Sequence, residues 1–122
     1  MGTVVYIVDP DAEERKWLES ALAPGFESVR SLDDAGALPE AMGISEGACL
    51  VLAVEPDEAM AVETVRRLRE SGNMIPVVAV GPGTSFQTAT RIARFDFTDF
   101  LDRPLRPGRL RTALRRACAS SK

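Results

Sequence analysis

The chain has 122 residues, 45% of them hydrophobic and 27% charged, which fits a single globular domain (1–122) and excludes a disordered or collagen-like chain. Zero histidines and two distant cysteines remove His-dependent triads and the common zinc sites, and no apolar run nears the roughly 20 residues needed to span a bilayer. The net charge of −3 divides into −9 over residues 1–90 and +6 over residues 91–122, with 13 Arg against 2 Lys.

Thr3–Val8 (TVVYIV) is β-branched and almost continuously apolar, as expected of a parallel strand covered on both faces. It begins without the basic region of a signal peptide. Asp11–Ala23 reads as a helix with an acid-rich first turn, stopped by Pro24-Gly25. Phe26–Val29 is a weaker strand, and Ser31–Glu40 opens with the capping chemistry of Ser and two Asp before a poorly apolar helix. Ala48–Val54 (ACLVLAV) is the next buried strand. Asp57–Glu70 carries Ala61, Val62, Val65 and Leu68 at helical spacing and stops at Ser71-Gly72. Ile75–Val80 is a fourth strand, the turn Gly81-Pro82-Gly83 leads into a helix over Thr84–Phe95, Phe97–Leu101 closes the sheet, and Arg106–Ala119 is the last helix.

Strict alternation of strands and helices predicts a three-layer α/β domain: a flavodoxin-like five-stranded parallel sheet of order 2-1-3-4-5 with helices on both faces. In that architecture a site forms where strands 1, 3 and 4 end, at Asp9-Pro10-Asp11, Val54-Glu55 and Gly81-Pro82-Gly83. The glycine turn lacks a Walker Gly-Lys-Ser/Thr, so an ordinary strand-to-helix turn outweighs an anion cradle. Asp9 and Asp11 would repel a flavin phosphate, and no cofactor is expected. Cys49 reads as a small buried hydrophobe and Cys118 lies on the last helix, with no disulfide expected and a reducing cytoplasm implied. Trp17 falls on the flank of the first helix, half-buried or a partner anchor.

These residues resemble the receiver domain of two-component response regulators over essentially the whole length. Val5-Tyr6-Ile7-Val8-Asp9-Pro10-Asp11 looks like that family's first strand and acidic cluster, and Leu50-Val51-Leu52-Ala53-Val54-Glu55-Pro56 like its third strand and acceptor loop. Ile75-Pro76-Val77-Val78-Ala79-Val80-Gly81 looks like its fourth strand, and Asp99-Phe100-Leu101-Asp102-Arg103-Pro104-Leu105 like its closing strand and a Lys-Pro junction that in the family is often cis.

The resemblance also places the family's phosphotransfer chemistry, and this chain departs from it. The acidic pair that helps bind Mg²⁺ falls on Asp9 and Pro10, the phospho-accepting Asp on Ala53, the sensing Thr/Ser on Gly81, the Lys on Arg103 and the aromatic switch on Phe100. An Ala offers no nucleophile, one carboxylate is a poor nucleus for Mg²⁺, and Arg is no simple substitute for Lys at a phosphoryl group. The expectation is therefore a degenerate, phosphorylation-independent pseudo-receiver, not an enzyme and without metal, with Arg103 paired to Asp9 and Glu55 in place of the switch.

In the family, the face made by the fourth helix, fifth strand and fifth helix is the usual dimer or partner surface. Here it would carry Arg91, Arg94, Asp96, Asp99, Asp102, Arg106, Arg109, Arg111, Arg115 and Arg116, with the three aspartates lying between the arginines, which suits a homodimer or another protein. With little aromatic interleaving, that basic stretch reads as a solvated or protein-binding face and not as a nucleic-acid footprint. Two alternatives stay open: an atypical receiver using Glu55 or Asp57 for metal or phosphoryl, and a small-molecule sensor using the vacated acceptor pocket. The family further implies bacterial signalling, often at the N-terminus of a transcription regulator, so the chain could be a fragment preceding an output domain.

Overall fold

The computed structural model describes residues 3–33, 36, 48–54, 58–82 and 99–120. The elements are β1 (Val4–Val8), α1 (Ala12–Leu22), β2 (Ser28–Leu32), β3 (Ala48–Ala53), α2 (Glu58–Glu70), β4 (Val77–Gly81), β5 (Asp99–Asp102) and α3 (Pro107–Ser120). All strand pairs are parallel, in the order β2-β1-β3-β4-β5. This is the sheet order expected from the sequence.

The near-continuous apolar strands follow from their two covered faces. Val5, Ile7, Cys49, Val51, Ala53, Val78, Val80 and Leu101 point to one side, where Leu18 and Leu22 of α1 and Leu110, Ala113, Leu114 and Ala117 of α3 pack on them. The alternate residues Tyr6, Val8, Leu50, Leu52, Val77 and Ala79 point to the other, against Ala61, Val65 and Leu68 of α2. The two-residue period of a strand thus divides each run between two apolar layers. β3, central in the sheet, is buried at all six positions.

Helix ends follow local chemistry. Asp11 caps α1 by accepting from the backbone N–H groups of Glu13 and Glu14 at 2.9 and 3.2 Å. α2 stops because Gly72 adopts φ +86, a left-handed conformation that glycine reaches without Cβ strain. Asn73 N–H then closes back on Leu68 O at 2.9 Å.

The expected helix start at Ser31 is corrected. Ser31 and Leu32 finish β2, paired with Ile7 and Val8, while the Ser31 hydroxyl donates to Glu19 of α1. An edge strand needs one sheet partner only, so its half-polar sequence hides its length. Residues 34–35 and 37–40 of that expected helix, and the whole of the expected helix at 84–95, lie outside the described residues. No helix among the described residues is long and apolar enough to cross a membrane.

Candidate functional site

The parallel register brings the carboxyl ends of the strands to one edge. Val8 lies opposite Leu52, Ala53 opposite Val80 and Gly81 opposite Asp102, so Asp9, Ala53, Gly81 and Arg103 come together as expected. Backbone bonds fix the edge: Asp9 N–H donates to Leu32 O at 3.1 Å, Val54 N–H to Val80 O at 3.0 Å and Arg103 N–H to Gly81 O at 3.0 Å. The Arg103–Pro104 peptide is cis.

Asp9 is the buried acid of this edge, 1% exposed. Its Oδ1 accepts from Asp11 N–H at 2.9 Å, and its backbone carbonyl accepts from the Arg15 guanidinium at 2.7 Å. Oδ2 is buried and finds no donor among the described residues. Burial, with the Glu14 carboxylate within hydrogen-bonding reach, pushes the Asp9 carboxyl up to about 7, partly offset by the Asp11 N–H and the Arg103 charge. The neutral acid can donate to Glu14, which satisfies a group that ionisation would strand.

Arg103 binds Glu14 through two parallel bonds, Nε to Oε2 at 2.9 Å and Nη2 to Oε1 at 2.7 Å. This fork, with the Asp9 carboxyl close by, holds the Glu14 carboxyl down at about 2 against its own burial. The expectation that Arg103 pairs with Asp9 is corrected accordingly, while its expected pairing with Glu55 falls on a residue outside those described. The hydrogen bonds described for its guanidinium go to Glu14, and its charge acts on Asp9. Asp9 Oδ1 is already engaged by Asp11 N–H, whereas both Glu14 oxygens are free to take the guanidinium fork. Glu55 and Asp57 lie outside the described residues.

The sequence contained a signal for Glu14 that composition does not reveal. Glu14, Leu18 and Leu22 are spaced by four, so the stripe that buries the two leucines carries a carboxylate at its head.

Gly81 is roofed. A Cβ at this position would lie 2.4 Å from Val54 Cγ2 and 3.5 Å from Phe100 Cζ, well inside contact distance for Val54. The space beside Gly81 is therefore filled by Val54 and by the half-buried Phe100 ring, turned inward, rather than left open. Ala53 puts a methyl group, 8% exposed, at the end of β3. Pro10 is exposed and has no side-chain oxygen. Among the described residues no cluster of three or more acidic or cysteine groups stands ready to hold a metal.

The expected partner surface is described in part. Arg91, Arg94 and Asp96 lie outside the described residues, while Asp99, Asp102, Arg106 and Arg109 are exposed on β5 and the start of α3. Arg111 is drawn away from that face and corrected: its guanidinium donates to Ala21 O at 2.8 Å, satisfying a carbonyl at the end of α1. Arg115 likewise leans over the turn at Gly25, where a Cβ would meet its Nη2 at 2.9 Å. Trp17 is 38% exposed on α1.

Comparison with known proteins agrees with this geometry. No family model matches the chain. It is 29% identical over 119 residues to the response regulator protein TmoT of Ectopseudomonas mendocina, covering 94% of this chain and 54% of that protein. It is 27% identical over 116 residues to TodT of Pseudomonas putida, covering 95% and 51%. Among solved structures, full-length FixJ of B. japonicum superposes with a TM-score of 0.79 at 26% identity, covering 98% of this chain and 61% of that one. The chain folds as a response-regulator receiver domain. A response regulator receiver protein from Pseudoalteromonas atlantica shares that fold at 20% identity, with a TM-score of 0.82 over 98% of this chain and 99% of the other. The chain spans about half the length of the curated relatives it matches.

Proposed function

We propose that this receiver domain signals without phosphotransfer, as a pseudo-receiver that presents a fixed surface to a protein partner or a second copy of itself. One observation carries the reading. The strand ends where the family resemblance places the phosphotransfer groups hold the Ala53 methyl, a Gly81 closed over by Val54, and an Arg103 forked onto Glu14. None of these can accept a phosphoryl group, and a hydroxyl at 81 has no room to follow one. Mg²⁺ prefers several hard oxygens. Here both Glu14 oxygens are engaged by Arg103, Pro10 offers no side-chain donor, and the guanidinium charge stands beside Asp9. The donor set suits a shared proton better than a divalent cation.

In this reading the domain turns over no substrate and does not itself bind nucleic acid. Its working surface is β5 with the start of α3, where the acidic pair Asp99 and Asp102 is followed by the basic pair Arg106 and Arg109. The names of its relatives, response regulator proteins, support a role in two-component signalling, and we place that role in the cytoplasm with transcription regulation as its output. The alternative of a small-molecule sensor in a vacated pocket has less support, because Val54 and Phe100 fill the space beside Gly81. The test is incubation with Mg²⁺ and an acyl phosphate, followed by intact mass spectrometry. An unchanged mass is expected; an acid-stable or acid-labile phosphoryl adduct on any carboxylate contradicts the proposal.

A further inference from the structure

The end of the sheet opposite Asp9 holds a second cluster. Cys49, in β3, is fully buried and paired in register with Val5 of β1. α3 leaves the carboxyl end of β5 and returns along the sheet, so its last turn carries Cys118, half-buried, onto the apolar layer that contains Cys49. Cys118 packs against the apolar cluster that includes Cys49, and the Cys49 thiol and the Thr3 hydroxyl come within side-chain interaction range of its sulfur. Both cysteines are present as thiols. The sequence spacing gave no hint of this meeting, since it depends on the antiparallel return of the last helix.

We propose that Cys118 and Cys49 form a peroxide-responsive dithiol that closes to an intramolecular disulfide between α3 and β3. The pair is asymmetric in the way such chemistry needs. Cys118 reaches solvent, and the nearby Cys49 thiol and Thr3 hydroxyl hold its thiol down at about 7, against the effect of its partial burial. Its contact with Cys118, together with burial, pushes the Cys49 thiol up, so Cys49 stays protonated and waits. The Cys118 thiolate attacks one oxygen of hydrogen peroxide; the S–O bond forms, the O–O bond breaks, and the departing hydroxide takes a proton to become water. The Cys49 sulfur then attacks the sulfenic sulfur. An S–S bond forms, the S–O bond breaks, and the departing hydroxide takes the Cys49 proton as a second water. Two thiols lose two electrons and two protons, and peroxide is reduced to two waters. The linked form ties the last turn of α3 to the centre of the sheet, independently of the chemistry at Asp9.

The test is brief treatment of the whole chain with hydrogen peroxide, followed by alkylation and non-reducing peptide mass spectrometry. The expected product is a monomer lighter by two hydrogens, with a Cys49–Cys118 linked peptide, a raised melting temperature and full reversal by dithiothreitol. A Cys49→Ala variant, folded by circular dichroism, should instead yield a dimedone adduct on Cys118, and Cys118→Ser should yield neither product. The wild-type peptide map decides without the variants. Two alkylatable thiols after peroxide, or a linkage found only between chains, overturns the proposal.

Discussion

Asp9 is a carboxyl whose ionisation the fold resists. Its pKa is raised to about 7 from an ordinary value of 3.8, so the native state holds a proton that the unfolded chain releases. Stability from this group is fully present below about pH 4 and is lost as pH rises through about 7. Glu14 works in the opposite sense: lowered to about 2, it contributes above the ordinary carboxylate range and is lost as pH falls towards 2. Asp9→Asn keeps an acceptor for Asp11 N–H and cannot ionise, so it should be of the order of 2 kcal/mol more stable than wild type at pH 8 and about equal at pH 4. Urea melts across that range check this, and an Asp9→Asn variant no more stable at pH 8 contradicts it. At Gly81 the steric argument predicts that Gly81→Ser costs about 1–3 kcal/mol by overpacking against Val54. Pairing it with Val54→Ala should recover a large part of that loss in a double-mutant cycle; additivity of the two changes would mean that Val54 does not close the position.

At the scale of elements, α1 is clamped at both ends. Its first turn is held by the Glu14–Arg103 fork and its last by the Arg111 bond to Ala21 O. Arg103→Ala should cost about 1–3 kcal/mol, because it strands a half-buried carboxylate beside Asp9. Arg111→Ala should cost about 1 kcal/mol, the worth of one bond to an otherwise orphaned carbonyl. Hydrogen exchange gives the sharper readout: Arg103→Ala should speed exchange in the first turn of α1 and Arg111→Ala in its last. Uniform acceleration along the helix would contradict separate clamps. These clamps mark the limit of what the sequence disclosed. β1, β3 and β4 were legible because each is buried on both faces and so almost wholly apolar. The end of β2 was not, because Ser31 and Leu32 lie on an edge strand with one sheet partner. Glu14 was missed as a site residue because its first-turn position has an ordinary explanation in the helix dipole, and its ion pair joins α1 to the end of β5 across most of the chain.

For the whole molecule, the strand order and the convergence of Asp9, Ala53, Gly81 and Arg103 could be anticipated, since alternating elements and right-handed crossovers leave few topologies. The partner chosen by Arg103 and the meeting of Cys49 with Cys118 could not, because both depend on how helices lie over the sheet. The exposed charges of β5 and α3 carry the proposed association. If the surface joins two copies, reversing both Arg106 and Arg109 to Glu should weaken dimerisation about tenfold or more in analytical ultracentrifugation; unchanged self-association would remove these arginines from the interface. The central claim, a receiver edge that no longer responds to metal or phosphoryl, is tested most directly by amide NMR during titration with Mg²⁺ and then beryllofluoride. No saturable shifts are expected at Asp9, Ala53 and Gly81. Saturable shifts there, spreading to Phe100, would show that the switch still operates and would contradict it.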